Sequence, residues 1–218
     1  MELLLVRHGR TAWNSSGRFQ GRSDIPLSPE GIAQARAAAE ALADDPIDAA
    51  FSSDLIRAAS TAEAILFGRA VPLAFDVRLR EFDFGAWEGR TWAEIVEEFP
   101  AAGGTALTSA RDYHPQGGET FADVRLRVRA WLNERAPYDE RRILVVAHAG
   151  TLHALLAELL GRSFDAMTVR FSHASITRIE YVDGRARILT LDDTAHLRAP
   201  SVPPEASPSL RRGARQDD

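Results

Sequence analysis

Apolar residues in this chain are grouped in short runs that alternate with stretches of helical periodicity. Residues 3–6 form a continuous apolar run, and residues 143–147 form the most apolar run of the chain. Such runs are typical of strands buried on both faces of a parallel sheet. Two further β-like segments, 175–182 and 185–191, are joined by Asp-Gly at 183–184. This pair predicts a hairpin, and with it one antiparallel strand.

Helical periodicity follows the first strand after a loop. Ser28 can cap a helix over residues 30–42, with Pro29 in its first turn. The same rhythm predicts a short strand at 49–52 and helices at 55–67 and 151–160, the last closed by Gly161. Alternating strands and helices predict an α/β fold, a three-layer αβα sandwich around a mostly parallel sheet.

The alternation of predicted strands and helices is interrupted between residues 82 and 137. A Trp-rich helix is predicted at 91–98 and a long helix at 119–135, separated by a Gly-containing loop. We interpret 82–137 as a helical insertion over the sheet, within a single domain spanning 1–198. Residues 199–218 contain four Pro and few apolar side chains, which predicts a disordered tail.

Composition narrows the possible chemistry. All 26 positive side chains are Arg, and the chain contains neither Lys nor Cys. Schiff-base lysines, phosphate-loop lysines, thiol nucleophiles and thiolate metal sites are therefore excluded. A net charge of −5 argues against a nucleic-acid or membrane-surface binder. The first apolar run is too short for a signal sequence or a membrane span, so we expect a cytoplasmic protein.

Candidate chemistry follows the predicted strands. Arg7 and His8 come directly after the first strand, and His148 follows the 143–147 strand at the start of a helix. Arg57 lies early in the second helix, and Glu81 precedes the predicted insertion. The carboxyl ends of parallel strands meet at one edge of a sheet, and helix N-termini favour anions. We therefore expect one anion-binding site of two His, two Arg and one carboxylate, without a metal.

Six sequence blocks carry a family resemblance. They are LLLVRHGRTAWN, FQGRSDIPLSPEGIAQA, SSDLIRAASTAEAI, LREFDFGAWEG, GGETFADVRLR and VVAHAGTLHALL. In this order they resemble the histidine phosphatase superfamily, in its phosphoglycerate mutase-like branch. The resemblance covers residues 3 to about 161, and the segment LDDTAHL further along the chain resembles the family more weakly.

The resemblance implies a role for each matching residue. His8 would be the nucleophile that becomes phosphohistidine, and Glu81 would protonate the leaving oxygen and later deprotonate water. The residues implied in phosphate binding are Arg7, Asn14, Arg57, His148 and the backbone of Ala149. No cofactor is implied.

Three positions are candidates for substrate contacts. Gln20 and Gly21 resemble a substrate-contacting loop of the family, although an ordinary turn would have the same sequence. Arg10 departs from the small, amide or acidic residue common there, and would either contact substrate or face solvent. Ala149 stands where Gly is common, but its amide N–H remains.

Other polar and aromatic residues have plain structural alternatives. Glu81 could pair with Arg78 or Arg80, and Asp83 competes with it for the acid role. We interpret the remaining histidines and the aromatic residues of the insertion as structural or surface residues, with pocket lining as the alternative for the aromatics; they are His114, His153, His173, His196, Phe82, Phe84, Trp87 and Trp92.

Three functions remain open, in this order. The first is a metal-independent phosphatase acting on small phosphomonoesters; the second is a cofactor-dependent phosphoglycerate mutase; the third is a non-catalytic phosphate-binding protein. Mutases of the branch resemble one another in a Glu-Arg-His-Tyr-Gly block and a Lys-containing segment. Here the block is EFDFG and Lys is absent, which favours a phosphatase. The expected partner is a small phosphate ester, with neither nucleic acid nor membrane, in a monomer or homodimer.

Overall fold

A computed structural model describes residues 1–99, 115–135, 142–162 and 169–198. The predicted tail at 199–218, His114 and most of the loop before α5 lie outside these residues. The strands are β1 (Glu2–Arg7), β2 (Ala49–Ser52), β3 (Leu73–Phe75), β4 (Arg142–Ala147), β5 (Ile176–Val182) and β6 (Arg185–Asp193). The α-helices within the described residues are α1 (Ala12–Ser15), α2 (Pro29–Ala41), α3 (Ile56–Leu66), α4 (Trp92–Glu98), α5 (Phe121–Arg135) and α6 (Ala149–Leu160).

The strands form one sheet in the order β3-β2-β4-β1-β5-β6. β1, β2, β3 and β4 are mutually parallel, and β5 runs antiparallel to both β1 and β6. The predicted α/β fold with one antiparallel strand is confirmed. β3 and the one-turn helix α1 were missing from the prediction.

Helices cover both faces of the sheet because alternate residues of β1 point to opposite sides. Leu3 and Leu5 pack in a cluster with Trp131 of α5, and residues of α6 join the same cluster. Leu4 and Val6 pack with residues of α2 and α3. These β1 side chains are fully buried, as expected for a strand in the middle of three layers.

The stretch 82–137, predicted as an insertion, divides into two parts. α5 belongs to the main layer, since Val124, Val128 and Trp131 are buried against the sheet. α4 instead packs in a separate small cluster around Trp87 and Ile95. Within the described residues, α4 and Trp87 therefore pack apart from the main core, whereas Phe82 still packs against it.

The N-terminus of α2 touches the loop that follows β1. Ser28 caps α2, its hydroxyl oxygen accepting a hydrogen bond from the Gly31 amide at 3.1 Å. A Cβ atom on Gly9 would lie 2.4 Å from the Gly31 carbonyl oxygen, and one on Gly31 would lie 2.0 Å from the Arg10 carbonyl oxygen. Only two glycines allow this close approach of backbones.

The hairpin between β5 and β6 turns at Asp183 and Gly184, with φ angles of 50° and 74°. Positive φ at both turn residues is what a tight hairpin turn requires, so the predicted turn is confirmed. None of the helices in the described ranges has the length and apolarity needed to cross a bilayer.

Candidate active site

A pocket of about 230 Å³ opens where β1 and β2 end. The residues that line it are Arg7, His8, Asn14, Gly17, Arg18, Phe19, Gln20, Gly21, Arg57, Glu81 and Phe84. A larger groove of about 800 Å³ lies between α2 and α3, but it contains no histidine. The smaller pocket therefore contains seven of the ten residues predicted for the site, and His148, Ala149 and Arg10 do not line it.

The imidazole of His8 is held in one tautomer. Its Nδ1 lies 2.7 Å from the Gly9 carbonyl oxygen. A carbonyl oxygen can only accept, so Nδ1 carries the hydrogen and Nε2 keeps its lone pair. Burial, followed by the positive charges of Arg7 and Arg57, holds the pKa of His8 well below 6.5. His8 is therefore neutral near pH 7, as a nucleophilic imidazole must be.

Backbone carbonyls hold the two guanidinium groups of the pocket. Arg57, fully buried, donates from Nη1 to the Ser23 carbonyl at 2.8 Å and from Nη2 to the Gly21 carbonyl at 2.6 Å. Arg7 donates from Nη1 to the Phe171 carbonyl at 2.6 Å. In the described part of the chain neither Arg forms an ion pair, so their charge remains available to an anion. Burial lowers the pKa of Arg7 to about 10, which still leaves it charged near pH 7.

His148 is the N-cap of α6, and its ring centroid lies 5.0 Å from that of His8. It is fully buried, and neither ring nitrogen has a hydrogen-bond partner among the described residues. Burial, then Arg57, holds its pKa well below 6.5. Buried polar atoms without partners need an explanation, and a phosphoryl group bound beside His8 would provide one. Ala149 begins α6, where the amide groups have no intrahelical partner.

Glu81 lies at the rim of the pocket. Its carboxylate accepts a hydrogen bond from the Phe82 amide at 3.0 Å and from the Gly150 amide at 3.2 Å. Gly150 allows this position of the carboxylate, because a Cβ atom there would lie 2.5 Å from Glu81 Oε1 and from the Phe82 ring, and both side chains would have to move.

The structural alternatives for Glu81 are not realised. Arg80 and Arg78 bond other carboxylates: Asp54 for Arg80, and Asp76 and Glu134 for Arg78. Asp83, the competing acid, pairs with Arg22 at 3.2 Å and accepts a hydrogen bond from the Gly85 amide. Glu81 is therefore the carboxylate that remains for the pocket.

The loop around Asn14 and Gln20 is organised by Thr11. The Asn14 amide oxygen accepts a hydrogen bond from the Thr11 amide at 3.0 Å, which leaves its NH₂ group for a ligand. The Gln20 amide oxygen accepts from the Thr11 hydroxyl at 2.9 Å. Gly21 has a φ of 54° and contributes its carbonyl to Arg57. All three predicted residues line the pocket.

Arg10 differs from the other predicted site residues. It does not line the pocket, and its Nη1 lies 3.2 Å from the Glu30 carboxylate at the surface. The structure therefore does not bring its guanidinium to the position expected of a substrate contact.

Three residues near His8 were not identified from the sequence. Arg18 and Phe19 line the pocket, and the Phe19 ring meets that of Phe84 edge-on at 5.2 Å. The ring of His173 lies 5.8 Å from that of His8, although the sequence suggested only a structural or surface role. Arg18 and Phe19 could have been found from their place in the loop before Gln20, whereas His173 has no neighbouring motif.

Metal chemistry has no evident site in the described ranges, since they contain no cluster of three or more His, Asp or Glu side chains that could hold an ion.

Comparison with known proteins gives consistent relatives. The family model for the histidine phosphatase superfamily (branch 1) matches residues 3–194. A Salmonella choleraesuis protein named as a probable phosphoglycerate mutase is 33% identical over 209 residues, which cover 93% of this chain and 97% of that one.

Two solved structures illustrate the similarity of fold. The alpha-ribazole phosphatase from Shigella flexneri is 30% identical with a TM-score of 0.83, covering 88% of this chain and 96% of that one. A mycobacterial glucosyl-3-phosphoglycerate phosphatase, solved with VO3, is 33% identical with a TM-score of 0.80, covering 88% and 99%. On the family match and on relatives of this identity along almost their whole length, the chain belongs to branch 1 of the histidine phosphatase superfamily.

Proposed function

We propose that the protein is a phosphatase that hydrolyses small-molecule phosphomonoesters through a phosphohistidine on His8. The observation that carries the proposal is an imidazole whose Nδ1 is bonded to the Gly9 carbonyl, which leaves Nε2 as the nucleophile, together with the guanidinium groups of Arg7 and Arg57, which bond backbone carbonyls and form no ion pair within the described residues. The phosphatases named among the similar structures support the same class of reaction.

In the first step Nε2 of His8 attacks phosphorus in line, forming an N–P bond as the ester P–O bond breaks. Glu81, in its protonated form, gives its proton to the leaving oxygen. Arg7, Arg57 and His148 donate hydrogen bonds to the phosphoryl oxygens, and Arg forks match phosphate geometry well. The imidazole ring becomes positively charged, and its Nδ1–H bond to the Gly9 carbonyl stabilises that charge.

In the second step Glu81, now a carboxylate, removes a proton from water. The resulting hydroxide oxygen attacks phosphorus, the P–N bond breaks, and inorganic phosphate leaves. His8 returns to its neutral form and Glu81 to its protonated form, so the cycle is closed without a metal or a cofactor.

The substrate side of the pocket favours a compact organic leaving group. Phe19 and Phe84 supply an apolar wall there, with Asn14 and Gln20 on the polar side. Sugar phosphates, α-ribazole phosphate-type nucleosides and phosphoglycerates all fit this description. A phosphate-release screen over these three classes would identify the preferred leaving group.

The proposal is tested by phosphate release from an aryl phosphate in the presence of chelator. His8→Ala should abolish release, and Glu81→Gln should slow it by about 10²–10⁴-fold, the usual contribution of general acid–base catalysis. Glu63→Gln, an exposed carboxylate on α3, is the matched control and should behave like wild type. Retained turnover in His8→Ala would refute the mechanism.

A mutase is the second candidate, because the curated relative described above carries that name. Both reactions share the first step and differ in whether the phosphoryl group passes to water or to a second hydroxyl. With 3-phosphoglycerate and a bisphosphate primer, we expect net phosphate release. Isomerisation without release would favour the mutase. Failure to trap phosphohistidine with any ester would instead favour a phosphate-binding protein.

A further inference from the structure

The loop over residues 171–175 is tied to the end of β1. The Ala174 amide donates to the Arg7 carbonyl at 3.0 Å and to the His8 carbonyl at 3.3 Å. Arg7 in turn donates from its side chain to the Phe171 carbonyl. The loop is therefore bonded to the nucleophile residue and to its neighbour.

The other side of this loop is bonded to β6. Asp192 accepts hydrogen bonds from the Ser172 amide at 2.5 Å and from the Ser172 hydroxyl at 3.0 Å. Ala174 and Asp192 have φ angles of 55° and 50°. In the described chain the only other non-glycine residue with positive φ is Asp183, in the hairpin turn. Such conformations are unfavourable for residues with a side chain and persist where the surroundings fix them, often at functional sites.

This loop places the imidazole of His173 against that of His8. The ring centroids lie 5.8 Å apart with an interplanar angle of 62°, an edge-on contact. His148 is the second ring neighbour of His8, at 5.0 Å, and the Gly9 carbonyl holds Nδ1. Burial, followed by Arg7, lowers the pKa of His173 to about 3, so this ring is neutral and adds no charge beside the nucleophile.

We propose that His173 is a positioning residue for His8. Its ring limits rotation of the His8 imidazole and keeps water away from it, so that Nε2 remains directed at phosphorus. This inference rests on the proposed function. The observed contact is between two rings, and Nε2 of His173 is buried without a hydrogen-bond partner among the described residues. The proposal assigns the effect to the ring contact and not to this nitrogen, so Phe should replace His173 and Gln should not.

The experiment compares His173→Ala, His173→Phe and His173→Gln in the full chain. The rate of phosphohistidine formation from an aryl phosphate is measured by rapid quench, together with KM and the thermal midpoint. We expect His173→Ala to slow formation by about 10–10²-fold, since a misplaced reacting group costs rates of this order, while KM changes less than about twofold. His173→Phe should recover most of the rate, and His173→Gln should not.

An NMR titration of the His8 imidazole gives a second readout that does not depend on turnover. Removal of the His173 ring admits water, so the pKa of His8 should rise towards 6.5 in His173→Ala and remain low in His173→Phe. The other charged and titratable groups around His8, which are Arg7, Arg57, His148 and Glu81, are unchanged in both variants.

Two results would overturn the inference. One is a rate of phosphohistidine formation in His173→Ala within twofold of wild type. The other is recovery by Gln and not by Phe, which would mean that a nitrogen atom contacts the phosphoryl group. If His173→Ala does not fold, the rates of phosphohistidine formation in His173→Phe and His173→Gln still test the inference. Failure of the proposed function is distinct, because it appears as retained turnover in His8→Ala.

Discussion

Three neighbouring neutral imidazoles, two of them buried and one half-buried, should make the folded protein sensitive to mild acid. Burial is the largest cause that lowers the pKa of His8, His148 and His173. Below pH 6.5 each of these side chains takes up a proton in the unfolded chain but not in the folded one. Stability rises with pH wherever the unfolded state binds more protons. It should therefore fall as the pH drops below about 6.5, and continue to fall towards the low folded-state pKa values.

The size of the effect follows from the number of rings. Each proton bound only by the unfolded chain contributes about 1.4 kcal/mol per pH unit. Three rings give a slope of up to about 4 kcal/mol per pH unit near pH 5, which is large against a total stability of about 5–15 kcal/mol. Four carboxylates with lowered pKa values act in the same direction, but mainly below about pH 5. Hydrogen bonds to Arg178 and Arg80 lower the pKa of Asp45 and Asp54, the Thr91 backbone lowers that of Glu94, and Arg129 and Arg125 lower that of Glu158 against its burial. The window from pH 5 to 6.5 therefore reports on the imidazoles.

Urea unfolding at several pH values between 5 and 7.5 measures this slope. The buffers must lack phosphate, because an anion in the pocket would favour the protonated rings and reduce the loss. His148→Gln removes one of the three rings, so it should lower the slope of unfolding free energy against pH by about 1.4 kcal/mol per pH unit. A free energy of unfolding that stays constant within 1 kcal/mol from pH 7 to pH 5 would mean that the folded protein protonates these rings, and would refute the argument for a neutral nucleophile.

Two substitutions test other parts of the site. Arg57→Lys should lower kcat by about 10²–10³-fold, because an ammonium group cannot bond the two backbone carbonyls and the phosphoryl oxygens at the same time. Arg36→Lys, on the exposed face of α2, is the control and should leave kcat unchanged. A kcat for Arg57→Lys within threefold of wild type would contradict the role assigned to Arg57. Gly150→Ala should displace the Glu81 carboxylate and the Phe82 ring, both 2.5 Å from the added Cβ, and reduce kcat at least tenfold. Gly161→Ala, at the other end of α6 with a φ of 59°, should cost about 1 kcal/mol in urea unfolding and leave kcat unchanged.

Local sequence patterns predicted most of the fold because its central strands are buried on both faces. The runs that form β1 and β4 are apolar throughout, without alternating polar residues, which is typical of strands buried on both faces. The Asp-Gly pair indicated the tight hairpin turn. β3 was missed because it has three residues at the sheet edge, two of them exposed. α1 was missed because it is a single turn that depends on the reciprocal bonds between Thr11 and Asn14.

The site was predictable where strand ends carry its residues, and less so where loops do. His8 and His148 are placed by the strands they follow, so their convergence follows from the sheet. His173 and Arg10 both lie in loops whose paths depend on distant contacts, with Asp192 and Glu30 respectively. A sequence pattern does not contain those contacts, so the sequence left Arg10 open between a substrate contact and the surface and did not indicate that His173 lies beside His8.

The contact between Gly9 and Gly31 limits how this protein can change over evolutionary time. Each missing side chain would meet backbone atoms, which cannot rotate away as a side chain can. A substitution at either position therefore cannot be rescued by a change at the other, or by repacking nearby. The spacing between the loop that carries the nucleophile and the first turn of α2 therefore depends on two residues that take no part in the chemistry.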